Sequence, residues 1–190
     1  MAGKGKLFIV SAPSGAGKTT LVREALKAFP GLFYSVSHTT RPPRGDEREG
    51  LDYFFISPAE FEEKITRGDW LEWARVHDNY YGTSRSFVED CLQQGKSLLL
   101  DIDVQGAMQI MASGLNPVSV FILPPSFEAL SQRLLNRGTD SKEVIEKRLM
   151  NARVEMDQQH RYRYVVVNDD LNTAIKEFCA IFKKEMGREG

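Results

Sequence analysis

Ten residues near the N-terminus, Ser11-Ala12-Pro13-Ser14-Gly15-Ala16-Gly17-Lys18-Thr19-Thr20, restrict the possible folds of this chain more than any other segment. They follow the short apolar run Lys6–Val10 and precede a helical pattern in which Leu21, Val22, Ala25, Leu26 and Phe29 recur on one face. Strand, glycine-rich loop and helix in that order make a P-loop, here AxxxxGKT. Glycines let backbone N–H groups turn inward around a phosphate, and the helix N-terminus adds its partial positive charge. Lys18 reaches the β- and γ-phosphates, and Thr19 offers a hydroxyl to Mg²⁺. The usual first glycine is Ala12, so the loop must tolerate one methyl group there.

The rest of the chain is compatible with that setting. Apolar runs at Lys6–Val10, Ser97–Ile102, Val118–Leu123 and Arg163–Val167 alternate with stretches of helical period, which predicts an α/β fold with βαβ units around a parallel sheet. Each run is continuously apolar, as expected for strands covered on both faces. Helix boundaries are marked by Ser126 as an N-cap and by Gly95 and Gly114 after helix ends. Between Ser37 and Arg85 the prolines and many aromatics indicate a small mixed insertion. Within it Ser57-Pro58-Ala59-Glu60 predicts a helix running to Arg67 and stopping at Gly68. A second, arginine-rich insertion over about 128–158 is predicted helical.

At 190 residues, against about 150 per domain, a single domain is expected. The 25 basic and 26 acidic side chains leave a net charge of −1, so no global field draws a nucleic acid, and any phosphate site must be local. Cys91 and Cys179 lack any CxxC or Cys/His spacing and are expected to be reduced and half-buried. The apolar run Leu7–Val10 is too short for a secretory signal, and no run nears a membrane span, so a cytoplasmic location is expected, with no membrane partner. Monomer and homo-oligomer are equally compatible with the sequence.

Leu98-Leu99-Leu100-Asp101-Ile102-Asp103 puts two carboxylates at the end of a buried strand, where open α/β sheets bind ligands. Asp101 is a candidate to hold Mg²⁺ through water. Asp103 is either the N-cap of the helix from Val104 or a ligand contact, and one carboxylate can serve both ends. No asparagine is followed by lysine, which disfavours the Asn-Lys-x-Asp guanine reader of GTPases. Arg41 and Arg44, spaced by two rigid prolines, offer planar forks suited to a phosphate, and Tyr53 and Tyr81 can donate hydroxyls to the same anion. The plainer alternatives are solvated arginines and core tyrosines. His38 is given no role, and His77 and His160 read as surface or capping histidines.

In order along the chain, the P-loop, TTRxPRxxE, GxDYxF, EWA, NYYGT, LDIDxQG, LxxRLxxRGTD and VNDDL resemble guanylate kinase over nearly the whole length. The resemblance implies a core (about 1–36, 85–127 and 159–190), a GMP-binding region (about 37–84) and a lid (about 128–158). It implies MgATP and GMP, and by extension dGMP, as substrates of a phosphotransferase. It places ATP on Ala12 through Thr20 with Arg133 and Asn168, although an Asx turn or N-cap explains Asn168 almost as well. The GMP phosphate falls to Arg41, Arg44, Tyr53 and Tyr81. Guanine falls to Ser37, Glu72, Thr83 and Asp103, beside Gly82, with Glu72 accepting from N1 and N2. Lys18, Arg41, Arg137 and Arg148 are the catalytic candidates, while Arg153, Arg161 and Arg163 are expected on solvated faces. Two rivals remain: a non-catalytic binding module of this architecture, and a kinase of a phosphorylated sugar.

Overall fold

The computed structural model describes residues 4–76, 78–136 and 142–187. Its elements in chain order are β1 (Leu7–Ser11), α1 (Lys18–Ala28), β2 (Leu32–Tyr34), β3 (His38–Thr39), β4 (Phe54–Phe55), α2 (Pro58–Arg67), β5 (Trp70–Val76), β6 (Asn79–Ser84) and α3 (Arg85–Gln93). These are followed by β7 (Ser97–Asp101), α4 (Val104–Ala112), β8 (Val118–Leu123), α5 (Phe127–Leu135), α6 (Lys142–Met156), a 3-10 turn (Asp157–Arg161), β9 (Tyr164–Val167) and α7 (Leu171–Met186). A five-stranded sheet has the order β2-β7-β1-β8-β9, and a four-stranded sheet the order β4-β3-β6-β5. In the larger sheet β2 runs parallel to β7 and β8 parallel to β9. Strands β1 and β8 are buried throughout, the pattern their uninterrupted apolar sequences require. The architecture is thus α/β with a parallel sheet, as expected.

The chain divides into two compact units. One contains the residues up to Phe8 and Gly31–Pro117; the other contains Ile9–Pro30 and the residues from Val118 on.

In the first unit, helix α3 packs on β7, and α4 on β5. The small sheet has two chemically distinct faces. Cross-strand pairing sets Thr39 against Tyr81, Tyr81 against Ala74 and Thr83 against Glu72, so these residues share one face. His38, Gly82 and Trp73 share the other. That second face is closed by α2, whose fully buried Phe61 stacks on Trp70 at 4.3 Å and on Tyr80 at 5.0 Å. Helix α2 starts where its cap chemistry requires: Ser57 accepts from the Glu60 N–H, Pro58 occupies the first turn, and Gly68 ends it with φ 71°.

A period of two would put Trp70 and Glu72 on one face. Instead the β5–β6 register shifts between them, Trp70 pairing with Ser84 and Glu72 with Thr83. This bulge sends Trp70 into the α2 core and turns Glu72 to the opposite face.

In the second unit α1 packs on α7, with Phe182 between Phe29 and Phe178 at centroid distances of 5.9 and 4.9 Å. Helices α5 and α6 bury Leu130, Leu134, Ile145 and Ala152 against one another. The insertion expected to be helical therefore is so in its described part. Arg163 is exposed, as expected, and its Nη2 also lies 2.9 Å from Glu185, an α7 carboxylate that accepts from Tyr164 at 2.6 Å. Arg153 lies over the Phe127 ring at 4.3 Å. Among the described residues no helix is long and apolar enough to cross a membrane.

Candidate active site

Helices α2, α3, α4, α5 and α7 start with side-chain caps from Ser57, Ser84, Asp103, Ser126 and Asp170. Helix α1 starts differently. Its N-cap is Gly17, which has no side chain to offer, so the first turn has no side-chain cap. Gly17 is in the left-handed region at φ 93°, and the Asn168 amide fills the space a Cβ would need. Asn168 Nδ2 donates to the Ala16 carbonyl at 2.8 Å, while its own carbonyl accepts from Arg133 Nη2 at 2.9 Å. Of these two residues expected at the nucleotide, Asn168 thus reaches the loop through its backbone, and Arg133 holds the main-chain carbonyl of Asn168. Lys18 is the first residue of α1, and Thr19 beside it is exposed.

A second cluster lies within the first unit. Glu72 is 4% exposed, and its Oε1 accepts from Thr83 Oγ1 at 2.5 Å. Burial pushes its carboxyl up to about 7, the Thr83 hydrogen bond opposes this, and the nearby Asp103 carboxylate adds to it. Asp103 is the N-cap of α4, accepting from the Gly106 N–H at 2.8 Å. Of its two open roles, capping is therefore present. Ser37 precedes β3 and accepts from the Phe54 N–H through its carbonyl, while Gly82 lies in β6 opposite Trp73.

Nearby along the same sheet face, Arg41, Tyr53 and Tyr81 form a third cluster. The Arg41 guanidinium lies 5.2 Å from the Tyr53 ring centre, and Tyr53 meets Tyr81 edge-on at 6.0 Å. Arg41 is held by Glu47 through two 2.9 Å bonds, and Glu47 also accepts from the Arg44 N–H at 2.9 Å. Sequence reasoning did not single out Glu47. Its grip orients one arginine by the fork and the other by the backbone. The Arg44 side chain is exposed.

Asp101 ends β7 half-buried. Arg148 lies in α6, half-buried, and Arg137 lies outside the described residues, as does His77. His160 Nδ1 sits 2.8 Å from the Asp157 carbonyl in the 3-10 turn, a capping position. His38 stacks on Phe54 at 4.8 Å, with Nδ1 buried and unpartnered; burial lowers its pKa to about 4. Cys91 and Cys179 are free thiols and half-buried.

Among the described residues no three His, Cys, Asp or Glu side chains gather as a metal cluster. Mg²⁺ would then draw most of its ligands from phosphates and water, and the exposed Thr19 hydroxyl is a hard oxygen donor suited to that arrangement.

The guanylate kinase family model matches residues 4–185. A guanylate kinase of Syntrophotalea carbinolica is 49% identical over 181 residues, covering 95% of this chain and 86% of its own. One of Nitrosomonas europaea is 50% identical over 179 residues, covering 94% and 89%. The crystal structure of guanylate kinase from Anaplasma phagocytophilum superimposes with a TM-score of 0.79 at 34% identity, covering 98% of this chain and 89% of that one. The chain belongs to the guanylate kinase family.

Proposed function

We propose that this protein transfers the γ-phosphoryl group of MgATP to GMP, giving ADP and GDP, and accepts dGMP in the same way. The observation that carries the base assignment is the buried Glu72 carboxylate, held by Thr83 and adjacent to Asp103. Guanine presents adjacent donors at N1 and N2. A carboxylate with two acceptor oxygens answers both, and a second acid behind it suits a site built for donors. Neither a phosphorylated sugar nor a phosphopeptide needs that pair.

In this reading the acceptor phosphate is held by Arg41, Arg44, Tyr53 and Tyr81, with Glu47 fixing the first arginine. The ATP phosphates lie in the nest of Ala12 through Thr20, whose uncapped helix N-terminus contributes N–H donors. The acceptor oxygen belongs to a phosphate already largely ionised near neutral pH, its second pKa being about 6, so no general base is required. That oxygen attacks the γ-phosphorus while the bond to the ADP oxygen breaks. Lys18, Arg137 and Arg148 neutralise the charge spread over the transferring group, which is the dominant catalytic contribution in such reactions. Mg²⁺, with Thr19 and water on Asp101, supplies further charge neutralisation when bound. The core, GMP-binding and lid divisions remain as assigned from the sequence, with closure excluding water and so preventing futile hydrolysis.

A coupled ADP-release assay over all nucleoside monophosphates tests the reading. Turnover is expected with GMP and dGMP, and at least about a thousandfold less with AMP. Comparable turnover with AMP would overturn it.

A further inference from the structure

Helix α4 packs directly on β5, and Gly106 lies against Glu72 there. A Cβ built on Gly106 would overlap Glu72 Oε2 and lie only 3.0 Å from its carboxyl carbon and 3.4 Å from Asp103 Oδ1. Gly106 is itself buried, within the first turn of α4. Its φ does not fall in the left-handed region, so backbone freedom is not why glycine stands there. Glycine is also a poor helix former compared with alanine. The missing side chain is used as space, and the group that uses it is the Glu72 carboxylate.

Two contacts prevent the neighbours from moving apart. One turn further along α4, Gln109 clasps the open edge of β5: its Oε1 accepts from the Trp73 N–H at 3.1 Å and its Nε2 donates to the Trp73 carbonyl at 2.7 Å. Strand β5 is the last of the small sheet, so this amide stands in for a further strand at the residue next to Glu72. On the other side Thr83 holds Oε1. The carboxylate is confined between a hydroxyl and a helix surface without a side chain.

From this geometry we infer that Gly106 is a specificity-determining position: its missing side chain forms the seat that sets where the Glu72 carboxylate points, and Gln109 is the positioning residue that keeps the seat closed. The inference rests on the proposed role of Glu72 as the reader of guanine N1 and N2. It extends base selection to a residue that touches no substrate.

The experiment compares GMP with inosine monophosphate, which lacks only the 2-amino group, in the unaltered protein and in Gly106→Ala, Glu72→Gln and the double variant Gly106→Ala with Glu72→Asp. For Gly106→Ala the melting temperature is expected to fall by no more than a few degrees, because the better helix former offsets part of the cost of displacing the Glu72 carboxylate. The KM for ATP is expected to stay within twofold, while the GMP preference in kcat/KM falls at least about tenfold, as sites lose discrimination when a buried partner is misplaced. Shortening the acid in the double variant removes the overlap and is expected to restore part of the preference. An unchanged preference in a folded Gly106→Ala protein overturns the inference. So does a loss shared equally by the ATP KM and the melting temperature, which would mark a purely structural role. Failure of the underlying reading looks different: there Glu72→Gln itself leaves the preference intact. If Glu72→Gln abolishes the preference and Gly106→Ala does not, only the seat is refuted.

Discussion

Asn168 donates its side-chain amide to the carbonyl of Ala16, 152 residues away in sequence, at 2.8 Å. The bond engages the Ala16 carbonyl and braces the peptide leading into Gly17 and Lys18. Changing Asn168 to Asp is nearly isosteric but sets an oxygen against an oxygen, leaving a buried acceptor unpaired at about 1–3 kcal/mol. The melting temperature is expected to fall by roughly 3–10 °C. The KM for ATP should rise several-fold more than that for GMP, which steady-state kinetics with either substrate varied will show.

Lys18 opens the uncapped helix α1. Removing its ammonium in Lys18→Ala takes away charge neutralisation needed most in the transition state, so kcat should drop by about 10²-fold or more with an unchanged melting curve. A folded variant with near-normal kcat would refute the assignment.

With Glu72 as the proposed reader of guanine, its carboxyl, pushed up to about 7 by burial, is expected to make GMP binding pH-dependent. Reading two donors needs the ionised acid, so GMP affinity should increase as pH rises through 7, and binding near neutrality should release part of a proton. Calorimetry in two buffers of different ionisation enthalpy measures that release, and Glu72→Gln should remove the portion not due to the GMP phosphate. For stability the sign is opposite. The folded pKa lies above the unfolded 4.5, so the folded chain binds more protons between about 4.5 and 7 and this contribution is lost as pH rises across that window.

His38 behaves in the reverse sense. Its folded pKa is lowered to about 4 from 6.5, so the unfolded chain binds more protons in between, and stability falls as pH drops across that window. His38→Phe preserves the stacking on Phe54 and removes the titration. Its melting temperature should decline less than that of the unaltered protein between pH 6.5 and 4.5; parallel declines would assign the acid sensitivity elsewhere.

What could be read in advance follows from how local each signal is. The α2 boundaries at Ser57 and Gly68 were legible because caps are set by neighbouring residues, and the apolar runs gave β8 to the residue. Strand β2 was not legible: three residues pair with β7, from which the whole small sheet and two helices separate them in sequence, with one buried side chain and two exposed. Glu72, Thr83 and Asp103 were nameable as residue types, and the fold gathers them. The supports around them, Glu47 on Arg41, Gln109 on Trp73 and the space at Gly106, depend on how a loop closes or a helix meets a strand edge; Glu47 and Gly106 stood in TTRxPRxxE and LDIDxQG, but those strings name neither partner. The exposed Arg163 was read correctly, but its partner Glu185 was not foreseen, since it comes from the C-terminal helix.

The extra residue at Leu71 gives β5 an uneven tolerance to changes in length. Loss of Leu71 would make Trp70 and Glu72 neighbours in a regular strand, each still facing as it does now, one to α2 and one away from it. Loss of a single residue between Glu72 and the turn into β6 would instead exchange the two sides, turning the acid toward Phe61 and an aromatic onto the face of Thr83 and Tyr81. Within one seven-residue strand, then, a deletion is tolerable at one position and ruinous a step or two later.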